Sequence, residues 1–109
     1  MAKIKDSQLE NPFIADRESE EGNLDATLVL DFDAFETWTG TLTENLTISI
    51  TNAKVKVVTL DLTGDFVIAY PAGSIVVGDD YNGLAWNKIT IEWKANSILA
   101  IVTNYPLPV

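Results

Sequence analysis

Leu42-Thr43-Glu44-Asn45-Leu46-Thr47-Ile48-Ser49-Ile50 and Leu62-Thr63-Gly64-Asp65-Phe66-Val67-Ile68-Ala69-Tyr70 share one pattern. Each opens Leu-Thr, passes two turn residues, then places an apolar side chain at every second position. A period of two is that of a strand with one face on a core and the other in water. Two readings fit the repeat. Two hairpins could share the same turn chemistry, or the units could be stacked β repeats, which need at least three copies where two are visible. The hairpin reading is the expectation carried forward.

Working outward, the same period recurs. Leu28, Leu30 and Phe32 alternate with Val29 and Asp31, and Val58, Leu60 and Leu62 with Thr59 and Asp61. Ile89, Ile91 and Trp93 alternate with Thr90 and Glu92, which places Trp93 in the core. Residues 98–102 are apolar at every position and read as a fully buried strand. Gly64-Asp65, Pro71-Ala72-Gly73, Gly78-Asp79-Asp80, Tyr81-Asn82-Gly83 and Ala95-Asn96 punctuate these runs as turns. The expected fold class is all-β: a small antiparallel β-sandwich or barrel-like, jelly-roll-type domain over residues 27–109. An extended acidic N-terminal arm, residues 1–26, precedes it.

That division rests on charge. Residues 1–36 carry ten acids against three bases, and the remaining 73 residues carry six acids against four lysines. The stretch Asp16-Arg17-Glu18-Ser19-Glu20-Glu21-Gly22-Asn23 is polar and self-repelling. Ile4, Leu9, Phe13 and Ile14 are the apolar groups of the first 23 residues that could dock the arm onto a partner.

Composition excludes several functions. The 109 residues are 47% hydrophobic and 21% charged, a folded composition. Cysteine and histidine are both absent, which removes thiol nucleophiles, zinc-thiolate sites and histidine-based triads. A net charge of −9 argues against duplex DNA, RNA or an anionic membrane as partner. The longest apolar run, Ile98-Leu99-Ala100-Ile101-Val102, is far short of a membrane span. The charged start leads into no apolar stretch, so the expectation is a protein made soluble in a cytoplasm. No phosphate loop or nucleophile elbow is visible, and neither an enzyme nor a cofactor is expected.

Three features could carry chemistry. Asp31 and Asp33 lie about 7 Å apart on one strand face, a spacing open to calcium or glycoside chemistry, although a solvated face is the plainer reading. Gly78-Asp79-Asp80-Tyr81-Asn82-Gly83 has the oxygen ligands and glycines of a calcium loop, but without the alternating acids of an EF-hand it reads as a turn. Tyr81 and Trp86 flank Gly83 and are the candidates for an exposed platform that stacks on a sugar.

The stretch 38–102 resembles the small β modules of bacteriophage virion proteins, such as head fibres, spikes and receptor-binding tail fibres. The residues behind the resemblance are Trp38-Thr39-Gly40-Thr41-Leu42-Thr43-Glu44-Asn45-Leu46-Thr47-Ile48-Ser49-Ile50-Thr51-Asn52, Leu60-Asp61-Leu62-Thr63-Gly64-Asp65-Phe66, and Tyr81-Asn82-Gly83-Leu84-Ala85-Trp86-Asn87-Lys88-Ile89-Thr90-Ile91. It implies a non-enzymatic structural protein of the virion, a homo-oligomer with a trimer favoured. It also implies an arm that docks onto a capsid or tail protein and a β domain displayed toward host-surface glycan. Two rival readings follow from the residues themselves. One is a carbohydrate-binding module using Tyr81 and Trp86. The other is an acidic inhibitor or immunity-type protein, which would need acids gathered on one folded face.

Overall fold

The structure, a computed structural model, describes residues 17–94 and 97–107. Nine strands follow in order: β1 Glu18–Leu24, β2 Thr27–Asp31, β3 Thr37–Leu42, β4 Leu46–Thr51, β5 Lys56–Thr63, β6 Ile68–Ala69, β7 Ser74–Gly78, β8 Trp86–Lys94 and β9 Ser97–Tyr105. No helix occurs among the described residues. The chain is all-β, as its alternation indicates.

The architecture is a β-solenoid and not an antiparallel sandwich or barrel. Six strands form one sheet in the order β1-β3-β5-β8-β9-β7, and three form a second, β2-β4-β6. The pairs β1·β3, β3·β5, β2·β4 and β4·β6 are all parallel. From β1 to β7 successive strands therefore alternate between sheets, and each of the first three coils stacks on the one before. Ser19 lies beside Trp38, and Trp38 beside Leu60. On the other sheet Leu28 lies beside Ile48, and Leu46 beside Ile68.

Alternation failed to show this for a physical reason. It states which face a residue occupies, not which strand lies alongside, so a hairpin and a parallel rung look alike. The repeat marked by Leu42 and Leu62 is two rungs of the solenoid. Its sequence alignment, at 20 residues, is displaced by two from the structural register, which joins Leu46 to Ile68. An even displacement keeps the faces right and hides the error. The third copy begins at Leu24-Asp25-Ala26-Thr27-Leu28 and lacks the threonine that marks the other two.

The inward residues make one apolar core. Trp38, Leu60 and Ile89 stack across the six-stranded sheet against Leu28, Leu30, Leu46 and Ile48 of the three-stranded one, all nearly or fully buried. Removing each such side chain from water contributes about 1.5–3 kcal/mol. Trp93 packs edge-on to Phe32, with ring centroids 6.4 Å apart. Residues 98–102 are covered on one face only. Ile98, Ala100 and Val102 are buried, whereas Leu99 and Ile101 are half-buried on the outer face. β1 falls within the stretch assigned to the arm, and it closes one edge of the six-stranded sheet. Ile4, Leu9, Phe13 and Ile14 lie outside the described residues.

Corners are where a solenoid must satisfy backbone groups that leave the ladders. Asn45 Oδ1 accepts the Val67 N–H at 3.0 Å, one rung away. Gly64, at φ +110°, sits so close to the Leu42 carbonyl that a Cβ there would lie 2.5 Å from its oxygen. A charged staple ties three coils at the opposite corner. Arg17 Nη2 and Lys56 Nζ both donate to Glu36 Oε2, at 2.7 and 2.8 Å, and Arg17 Nε donates to Oε1 at 3.0 Å. Lys56 also donates to the Phe32 and Phe35 carbonyls.

The Arg17 hydrogen bonds, helped by Lys56, hold the Glu36 carboxyl down to about 2 from its ordinary 4.5. A carboxyl depressed on folding stabilises fully above its unfolded pKa, and that stability is lost as pH falls through the folded one. Glu36→Gln should therefore lower stability by about 1–2 kcal/mol at neutral pH. The gap to the unaltered chain should close between about pH 4.5 and pH 2, read by urea denaturation across that range.

Candidate functional site

The outer face of the six-stranded sheet carries the candidate site. Because side chains alternate, paired strands bring their outward residues into rows. One row is Thr37, Thr59, Thr90 and Ile101; the next is Thr39, Asp61, Lys88 and Thr103. At the start of β8, Trp86 lies opposite Tyr105 of β9. Thr37, Thr59, Asp61, Trp86, Lys88 and Tyr105 line a shallow depression of about 480 Å³ that crosses four strands. Four strands span about 14 Å.

Its rim is aromatic. Trp86 and Tyr105 are 37% and 40% exposed, with ring centroids 5.2 Å apart and planes inclined by 41°. Two rings kept this wet on a rigid sheet leave face area open to a ligand. Its floor is polar. Asp61 and Lys88 are cross-strand partners. Asp61 Oδ1 is shielded from water and makes no hydrogen bond to any described residue. A shielded acceptor without a donor is costly to leave in place.

Asn87, the one fully buried polar residue in the described core, sets where Trp86 stands. Its Nδ2 reaches the carbonyls of Asn82 at 2.8 Å, Ala85 at 3.1 Å and Leu62 at 3.3 Å. Its Oδ1 accepts from the Asn82 N–H at 2.9 Å and from Asn104 Nδ2 at 2.7 Å. One side chain thus fastens the loop 82–85 to β5 and β9, directly behind the rim.

The sequence-predicted site residues divide. Trp86 stands on the rim. Tyr81 does not join it: its hydroxyl donates to the Gly64 carbonyl at 2.9 Å, and the ring packs against the core. Burial pushes the Tyr81 hydroxyl up to about 12. The loop 78–83 is not a hairpin turn, since it joins β7 to β8 and β9 lies between them. Asp31 and Asp33 close a turn. Asp31 Oδ1 accepts from the Asp33 N–H at 2.9 Å and from Asn52 Nδ2 at 2.8 Å, and Asp33 pairs with Lys54 at 2.6 Å. Among the described residues, no three acids gather as a metal site.

Tyr105, Asp61 and Lys88 escaped sequence reading. Tyr105 had a usable signal. The turn signal Ala95-Asn96, read from the sequence as two turn residues, implies a pairing in which residue numbers sum to 191 and so sets Trp86 against Tyr105, the pairing β8 and β9 have. Asp61 and Lys88 meet through a pairing of distant strands, for which no local signal exists.

Comparison of the chain with known protein families, with curated proteins and with solved structures finds no match. Asn87→Leu should cost about 2–4 kcal/mol, because it strands the buried carbonyls and the Asn82 N–H together. Thermal melting should show the loss. The emission of Trp86 should change in the folded variant as the rim loosens.

Proposed function

We propose that this protein is a non-enzymatic recognition module that binds a saccharide in the outer-face depression. The observation that carries the reading is the exposed Trp86–Tyr105 pair at the end of a trough floored by Asp61, Lys88 and two threonines. Sugar rings present apolar C–H faces and polar edges. Trp86 and Tyr105 supply the stacking surface, and Asp61, Lys88, Thr37 and Thr59 supply acceptors and donors for hydroxyls. A span of about 14 Å suits two or three sugar residues. The depression is open and rigidly built, so it is suited to modest affinity, with Kd of about 0.1–1 mM for a short oligosaccharide.

The setting we propose is the virion surface, with the β domain displayed toward host glycan and the N-terminal arm docked on a capsid or tail protein. The support for that setting is the sequence likeness over residues 38–102, which spans β3 to β8 and most of β9. The solenoid adds a physical argument. Stacked parallel rungs give a stiff, flat face, and a displayed recognition surface needs one.

Intrinsic fluorescence tests the binding claim. Trp38 is buried and Trp93 partly so, which leaves Trp86 as the exposed reporter. Titration with a panel of neutral and acidic oligosaccharides should give a saturable change. Trp86→Ala removes the reporter as well as the stacking ring, so its binding is read by calorimetry, where it should be abolished, and Asp61→Asn should weaken binding about tenfold. A panel without any saturable response, or binding that survives Trp86→Ala, would refute the assignment.

A further inference from the structure

We propose that two copies of this chain pair through β7, antiparallel about a two-fold axis at Val76, so that their six-stranded sheets become one. Among the described residues β7 is an edge strand, hydrogen-bonded to β9 on one side only. Ile75, Val76 and Val77 are 57%, 45% and 42% exposed. Ile75 and Val77 share the outer face with Leu99 and Ile101 of β9, so the exposed edge continues an apolar strip. The strand Ser74-Ile75-Val76-Val77-Gly78 has no charge, no proline and no bulge. Those are the devices by which an edge avoids pairing with another chain.

The opposite edge has them. β1 carries Glu18, Glu20 and Glu21, and its register with β3 shifts between Glu20 and Gly22. A head-to-tail contact would set the neutral β7 against this bulged, carboxylate-lined strand and generate an open filament. Pairing β7 with itself joins two unguarded edges and closes the assembly at two copies.

Charge selects the direction and the register. The chain carries −9, and the acids nearest β7 along the chain are Asp79 and Asp80. Parallel pairing would set each Asp79 beside its equivalent. Antiparallel pairing about Val76 sets Ile75 opposite the partner's Val77 and Asp79 opposite the partner's Gly73. The two Asp79 positions then lie about 20 Å apart, well beyond the screening length at physiological salt. Asp79 is also drawn back toward its own sheet. Its Oδ2 accepts the Asn104 N–H at 2.9 Å, and its own N–H donates to the Val102 carbonyl at 2.8 Å. Gly78, at φ +91° and tight against Val102, makes the turn that permits this.

A two-fold axis normal to the sheet keeps both outer faces on one side, and both depressions stay open. Five residues per copy make a small interface, so the dimer is reversible and grows with concentration. It is a two-fold assembly, where the sequence resemblance implies a trimer, and solution mass separates the two.

The chain has no cysteine, which permits a direct test. In the full chain, Val76→Cys should form a disulfide-linked dimer under mild oxidation, while Thr90→Cys, in mid-sheet, should stay monomeric. Sedimentation of the unaltered chain at rising concentration should show monomer passing to dimer. Ile75→Lys with Val77→Lys should hold it monomeric with its melting temperature preserved. A monomer at every concentration, a trimer, a dimer indifferent to the two lysines, or equal crosslinking at both cysteine positions would overturn the proposal.

Discussion

Parallel stacking imposes one constraint from which the rest of this structure follows: each inward side chain must accept its equivalent, one rung away, as its nearest neighbour. Rungs are separated by about 4.8 Å, so a polar group placed inside would face its neighbour with no water to satisfy it. The buried residues of the coils are accordingly leucine, isoleucine, valine, phenylalanine and tryptophan, with the Leu28–Ile48 and Leu46–Ile68 pairs showing the rule at its plainest, and the buried Asn87 lies outside the coils, in β8, with its hydrogen bonds met. Corners obey a second demand, because there the backbone leaves its ladders. Asn45, Gly64 and the Arg17–Glu36–Lys56 staple each answer it locally.

A solenoid also has ends, and among the described residues each end of the six-stranded sheet is an open strand edge. The two ends of the six-stranded sheet are treated differently. β1 is guarded by glutamates and a bulge. At the other end the β8–β9 hairpin takes the place beside β5 where a fourth coil would have stacked, and displaces β7 to the far edge. That insertion does two things. It extends the flat outer face beyond the coils, and it brings Trp86 and Tyr105 together at the base of the hairpin, beside the polar row from β5. The candidate site therefore belongs to the junction between solenoid and hairpin, where Asn87 fastens one to the other.

How much of this was legible follows from what alternation encodes. The positions and faces of β2, β4, β5 and β8 were readable, because Leu46, Ile48, Leu60, Leu62, Ile89 and Ile91 carry a period of two and are buried as that period requires, whereas β1, β3 and β7 hold no run of alternating apolar residues. The pairing was not. Leu42 and Leu62 advertise a repeat, but the copy at Leu24 lacks its threonine, and an alignment wrong by two residues still puts every side chain on its proper face. Trp86 was legible as exposed and Tyr81 was not legible as buried, since only the fold brings the Gly64 carbonyl to its hydroxyl. The row from Asp61 to Lys88 joins strands far apart in the chain, beyond the reach of local reading.

The central claim is that the Leu-Thr repeats are stacked parallel rungs and not hairpins, and one crosslink tests it. The rungs place Thr41 beside Thr63 on the outer face, with the two hydroxyl oxygens 3.1 Å apart. In a chain without cysteine, Thr41→Cys with Thr63→Cys should oxidise to a single intramolecular disulfide, seen by mass spectrometry as the loss of two hydrogen atoms. Thr43→Cys with Thr63→Cys, the pair that the sequence repeat alone would align, should link far more slowly. Failure of the first pair to close would contradict the stacked rungs, whereas closure of the second pair alone would keep the rungs and shift their register by two.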